Sequence, residues 1–219
     1  MNVYLCSNHI WSEIMFFRML LFIVGISILI GNPIDAQARK KRKASKKKTV
    51  QVLKPAKKFT HDEGNFSIAF PGSHGQVKGD TSLISTTFGQ TQFYAYTTNS
   101  TQSASMIALY ELDMKKVAEK DIELAENNRI LLDTLQAQLI ANLGGIVQRK
   151  VKMVREGLYH SRISYFTVKG EGDKTIYFRC ENIINAPRVY QLLYQSSVKS
   201  GPDSPEAKKF FQSFSLKNK

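Results

Sequence analysis

Between residues 146 and 196, four strand-like runs follow one another with almost nothing in between: Ile146–Val154, Leu158–Val168, Lys174–Ile184 and Arg188–Ser196. The breaks hold Glu156-Gly157, Gly170-Glu171-Gly172 and Ala186-Pro187, each a turn signal. A parallel crossover needs about a dozen residues or more, so segments this close must pair antiparallel. Whatever else the chain does, it builds on a meander.

Upstream the two-residue period recurs. Phe66-Ser-Ile-Ala-Phe70 puts Phe66, Ile68 and Phe70 on one face of a strand, and Pro71-Gly72 stops it. Leu83–Phe88 and Gln92–Thr98 flank Gly89-Gln90-Thr91 in the manner of a hairpin. Ser105–Leu112 is apolar at nearly every position, which suits a central strand. Then the period changes. Leu124, Leu131, Leu135, Leu139 and Leu143 recur at steps of seven and four, widened by Leu132 and Ile140. This spacing predicts one amphipathic helix from Asp121 to Leu143, with Asp121 capping its start and Gly144-Gly145 ending it. Ser204-Pro205-Glu206 sets an N-cap, an N1 proline and an early acid, so a short C-terminal helix should bury Ala207, Phe210, Phe211 and Phe214. The expected class is α+β. A largely antiparallel sheet carries one long helix and a short C-terminal helix on its faces, within residues 59–219.

Several of these segments together resemble a known family. FSIAFPGSHG, FYAYTT, the long leucine helix, RVYQLLYQSS and the closing AKKFFQSFSL are similar to the PsbP-like domain of the Mog/PsbP fold, over roughly residues 59–217. The resemblance implies an α/β/α sandwich around an antiparallel sheet. Plant lumenal members of the family assist the oxygen-evolving photosystem, Mog members bind a small GTPase, and many bacterial members are exported. No motif here carries either specific role across, so the resemblance implies only non-enzymatic binding.

Ahead of the domain stand a leader and a basic run. Arg18 precedes an apolar stretch from Met19 to Ile30, Gly31-Asn32-Pro33 breaks it, and Ala36-Gln37-Ala38 offers a signal-peptidase site. Residues 1–38 therefore read as a secretory signal cleaved after Ala38, with Met15 the better start and no lipobox cysteine. Export leads to the periplasm or the cell exterior. Charge pulls the other way, because basic residues just behind an apolar segment favour the cytoplasmic side. The alternative is a membrane anchor through residues 15–30 with a cytoplasmic domain. The apolar stretch is short for a span, which needs about 20 residues.

The formal charge of +13 is not spread evenly. Residues 1–38 carry one base and two acids, residues 39–58 eleven bases and no acid, and residues 59–219 nineteen bases against sixteen acids. With few apolar side chains, residues 39–58 should form a disordered linker. One reading is a solvated tether. A second gives Arg39, Lys40, Lys41, Arg42, Lys43, Lys46, Lys47 and Lys48 electrostatic contact with anionic lipid or cell-surface polymer, screened over about 10 Å at moderate salt. Nucleic acid is the weakest candidate, since no aromatic platform for bases accompanies the charges.

Chemistry is hard to find in the domain. His61-Asp62-Glu63 clusters hard ligands, but neither HExxH nor a Cys/His pair at zinc spacing occurs, and His74 fits a turn. His160 alternates with Arg162 and Ser164 along a strand, on a solvated or partly covered face. Cys180 shares parity with Ile176 and Phe178, as a buried, inert thiol would. Ser161, Ser196 and Ser213 lack a GxSxG setting, and Gly144-Gly145 follows a helix instead of opening one. The expectation is no catalytic residue, no cofactor and no metal. Tyr94, Tyr96, Tyr110, Tyr165, Tyr177, Tyr190 and Tyr194 are numerous enough to divide between core and a recognition surface. The expected role is a non-catalytic accessory or binding module of the cell envelope; the alternatives are a membrane-anchored protein whose cytoplasmic basic segment contacts anionic lipid or nucleic acid, and an enzyme with an unfamiliar site. Its partner would be a protein or an anionic envelope component.

Overall fold

Alternating apolar residues and short turns produce ten strands in the computed structural model, which describes residues 56–86, 88–155, 159–170 and 174–217. They are β1 (Lys57–His61), β2 (Phe66–Phe70), β3 (Lys78–Thr86), β4 (Gly89–Asn99), β5 (Ser103–Glu111), β6 (Ile146–Arg155), β7 (Tyr159–Lys169), β8 (Thr175–Asn185), β9 (Arg188–Ser196) and β10 (Ser215–Leu216). Seven of them form one sheet in the order β3-β4-β5-β9-β8-β7-β6, and every pairing in it is antiparallel. The meander β6 to β9 is as the short connections require. The remaining strands form a small sheet, β1-β2-β10.

The helices are α1 (Met114–Lys120), α2 (Ile122–Glu126), α3 (Asn128–Asn142) and α4 (Pro205–Gln212). Strand alternation sends successive side chains to opposite faces of the large sheet. On one face Ile107, Leu109, Ile183, Tyr190, Leu192 and Tyr194 meet Phe66, Ile68 and Phe70 of β2 and Phe210, Phe211 and Phe214 at the C-terminus. On the other, Ala108, Tyr110, Ile184 and Val189 meet Leu131, Leu132 and Leu135 of α3. That layer continues with Leu139, Ile140, Phe166, Phe178 and Cys180. The architecture is α+β, a sandwich with helices on one side of the antiparallel sheet and a helix plus a small sheet on the other. Each fully covered phenylalanine contributes roughly 1.5–3 kcal/mol.

The C-terminal helix follows its sequence signals. Ser204 Oγ accepts from Ala207 N at 3.1 Å, Pro205 opens the helix, and Phe210 and Phe211 are buried. Gly144, at φ +62°, ends α3 in the left-handed conformation a glycine tolerates.

Three expectations need correction. The leucine stripe is not one helix. Asp121 is extended at φ −162° and closes α1 instead of opening a long helix. Asn127, also extended, caps α3 by accepting from Arg129 N and Ile130 N. Asn127, whose side chain takes up two backbone N–H groups, thus cuts the stripe between Leu124 and Leu131. Second, Lys57 and Lys58, placed in the linker, belong to β1, and Phe66–Phe70 pairs with that strand, not with the large sheet. Third, the β3–β4 hairpin closes at the Thr86–Gly89 pair, so Gly89-Gln90-Thr91 lies in β4 and not in a loop. The leader, and Arg39, Lys40, Lys41, Arg42, Lys43, Lys46, Lys47 and Lys48, lie outside the described residues.

Candidate functional site

Antiparallel register lines up one residue from each strand across six strands of the large sheet. From β4 outward the row reads Thr98, Ser105, Tyr194, Arg179, Tyr165 and Arg149, each paired with the next. Tyr194 faces the α4 side, where the apolar core thins out. The row turns polar there because the pairs sit at the end of the sheet beside the 3-10 turn Gly201–Asp203. Gly201 is required at this turn. A Cβ would stand 2.2 Å from Ser196 Oγ.

The outer half of the row is a stack of rings and guanidinium groups. The Arg149 guanidinium carbon lies 4.1 Å from the Tyr165 ring centre, and that of Arg179 lies 4.1 Å from Phe211 and 5.8 Å from Tyr165. Such contacts contribute about 0.5–2 kcal/mol each, more where water is excluded. Tyr165 donates its hydroxyl to Asp203 Oδ1 at 2.9 Å, and Arg149 Nη2 lies 3.6 Å from Asp203 Oδ2. Burial pushes the Tyr165 hydroxyl up and the Asp203 bond adds to this, while Arg179 and Arg149 pull it down. Arg179 Nε is buried, and no protein acceptor among the described residues reaches it.

The inner half is a hydroxyl pocket around His74. The ring is 3% exposed and stacks on Tyr194 with centroids 6.0 Å apart. Nδ1 lies 3.0 Å from Thr98 Oγ1 and 3.1 Å from Ser105 Oγ, and Nε2 lies 2.9 Å from Ser103 Oγ. The pair Ser103–His74 is the nearest approach to a nucleophile and base among the described residues. Yet Nδ1 faces two hydroxyls, not the carboxylate that orients the base of a hydrolytic triad. Burial lowers the His74 pKa to about 4, against a smaller upward pull from Glu206. So acidic an imidazolium makes a weak base at neutral pH. The pocket instead pins the connection from Pro71 to Val77 onto β4 and β5.

The other candidates disperse. His61 Nδ1 accepts from Gly64 N at 2.7 Å, and Asp62 pairs with Lys217. Burial lowers the His61 pKa, and Glu63 and Asp62 oppose it. His74 does not join this group. Among the described residues no three His, Cys, Asp or Glu side chains could hold a metal ion. His160 lines an open depression of about 510 Å³ with Glu123, Glu126, Asn127, Asn128 and Arg129. Arg162 and Ser164, on its strand, are buried, so that face is covered and not solvated. Cys180 is fully buried, and burial followed by Glu181 pushes its thiol up. Tyr110, Tyr190 and Tyr194 are core residues, whereas Tyr94, Tyr96, Tyr165 and Tyr177 are half-buried.

No family model matches the chain, and no curated protein matches it. One solved structure of similar outline is the protein of unknown function PA94 from Pseudomonas aeruginosa. It aligns with a TM-score of 0.39 and 10% identity, over 75% of this chain and 99% of that one.

Arg149, Arg179 and Asp203 escaped the sequence reading. Arg179 shares strand parity with the buried Ile183, and a charge on a core-facing parity was the available signal. Assembling the row required the register of three successive hairpins, which the sequence leaves open.

Proposed function

We propose that this chain is a non-catalytic binding module of the cell envelope, exported by residues 1–38 and held on the polybasic linker of residues 39–58. Its domain grips an anionic partner with the Arg149–Tyr165–Arg179 row. The observation that carries this reading is the stack itself. Two guanidinium groups are fixed over rings on a rigid sheet, where little side-chain entropy remains to be lost on binding. The linker supplies a second, nonspecific attraction to acidic surfaces. A PsbP-like ancestry is proposed on the segments FSIAFPGSHG, FYAYTT and AKKFFQSFSL, and it favours binding over catalysis.

Capture from native envelopes tests the proposal with three baits: the full mature chain, the chain lacking residues 39–58, and an Arg149→Ala/Arg179→Ala chain. A partner kept by the second bait and lost by the third supports the row. A partner captured through residues 39–58 alone overturns it.

The basic run just behind Ile30 favours one rival, an uncleaved anchor with the domain in the cytoplasm. Among the described residues no helix is long and apolar enough to cross a membrane. Intact mass of the native protein separates the two, since export requires a chain beginning at or near Arg39.

A further inference from the structure

We infer that Arg179, with Arg149 beside it, forms a site for a single carboxylate group, which names the chemistry of the partner proposed above and rests on that binding reading. Phe211 and Tyr165 lie against the guanidinium groups in cation–π contact, and such stacking occupies the faces of a guanidinium. A guanidinium donates its five N–H bonds within its own plane, so stacked faces leave the donor edges for an acceptor. For Arg179 Nε no such acceptor is present among the described residues. Nε is buried with no partner, and no carboxylate among the described residues lies within ion-pair distance of the group. Arg149, besides its Tyr165 ring contact, makes a loose, exposed contact to Asp203. Buried donors and partly buried charges normally carry partners, and an orphaned Nε on a rigid sheet points to a ligand at the edge of the same guanidinium.

The neighbouring acids decide which anion. Asp203 accepts the Tyr165 hydroxyl and faces Arg149, and Glu181 stands two residues beyond Arg179 on the same face, fully buried and with bonds of its own. Asp203 and Glu181 already offset the two guanidinium charges, so a ligand with one negative charge adds a single uncompensated charge and a doubly charged ligand adds two. A monoanionic carboxylate fits, and doubly charged phosphate does not. The flat, bidentate match of carboxylate to guanidinium and the aromatic floor of Phe211 suit the same choice. The carboxylate could be an acidic side chain or a chain terminus of the partner.

Titration of the full mature chain tests this by calorimetry and by the Arg179 Nε–H resonance in NMR. The probes are N-acetylglycine as a terminus mimic, N-acetylaspartyl diamide blocked at its main chain as a side-chain mimic, and inorganic phosphate at mildly alkaline pH and matched ionic strength. One or both carboxylates should shift the resonance and bind roughly tenfold or more tightly than phosphate, and the stronger of the two names the source. Arg179→Gln should lose the binding. Arg179→Lys, which keeps the charge but not the fork, should weaken it roughly tenfold while thermal unfolding shows the fold intact. Asp203→Asn should narrow the preference over phosphate. Phosphate binding as tight as carboxylate would overturn the carboxylate assignment while leaving the binding module in place. Wild-type affinity in Arg179→Gln would show an adventitious anion only and overturn the site itself.

Discussion

Arg162 on β7 donates from Nε to Asp133 Oδ1 on α3 at 2.7 Å, and from Nη2 to Oδ2 at 3.4 Å. The pair is lopsided: the arginine side chain is 6% exposed and the aspartate 48%. Removing the aspartate strands a buried charge, whereas removing the arginine leaves a carboxylate that water can reach. Asp133→Ala should therefore cost about 1–3 kcal/mol. Arg162→Met, which fills similar volume without charge, should cost less than about 1.5 kcal/mol. Urea midpoints for the two variants check the ordering. Equal losses would mean that the pair acts as an exposed surface bridge.

Phe211 does two jobs on α4. It is 1% exposed within the aromatic cluster of Phe66, Phe70, Phe210 and Phe214, and its ring carries the Arg179 guanidinium at 4.1 Å. Phe211→Ala should destabilise the fold by about 3–5 kcal/mol. Phe211→Leu should recover most of that loss but not the cation–π contact. Denaturant unfolding reads the first effect. In Phe211→Leu, a displaced Arg179 Nε–H resonance reads the second.

Sequence legibility followed the strength of the local breakers. β9 runs Arg188–Ser196 as predicted because Pro187 and the polar Ser196-Ser197 leave it no other ends, and β2 is likewise as read. The leucine stripe misled because its step of seven from Leu124 to Leu131 carries across Asn127, and periodicity does not register a cap that interrupts it. β1 was hidden by composition: Lys57 and Lys58 continue the basic run, and only pairing with Phe70 and Ala69 makes them strand. The candidate row was harder still. Cys180 revealed its burial through parity with Phe178, a local property, but Arg149, Tyr165 and Arg179 meet only through register across two hairpins. Register depends on turn geometry and on core fit, and neither is written in residue spacing.

Cys180 provides a count as well as a burial test. The thiol is fully buried and donates to Asn182 Oδ1 at 3.4 Å, and burial raises its pKa enough to keep it protonated. An aromatic disulfide reagent should find no reactive thiol in the native mature chain and one after unfolding. A leader retained from Met1 would add the thiol of Cys6, for two after unfolding, whereas a leader retained from Met15 would add none. A fast native reaction at Cys180 would contradict its packing with Phe166 and Phe178.

His74 should make stability depend on pH in a defined window. Its folded pKa is about 4, below the ordinary value of 6.5, because burial opposes the charged ring. Above 6.5 the ring is neutral in both states and contributes no dependence. Between 6.5 and 4 the unfolded chain takes up the proton and the folded chain does not, so stability falls as the pH falls. Below 4 both states are protonated and this contribution levels off. The full loss is at most about 3.5 kcal/mol, because a tenfold difference in proton affinity between the two states corresponds to ~1.4 kcal/mol. Acidic groups titrate in the same range, so the informative quantity is the difference from His74→Gln, which cannot take a proton yet can still bond to Ser103 or Thr98. Urea unfolding of both chains from neutral pH to about pH 4 should show a wild-type loss that is visibly smaller in the variant. Parallel curves would place His74 in contact with water, and the hydroxyl pocket that joins it to Thr98 and Ser105 would then have to open in solution.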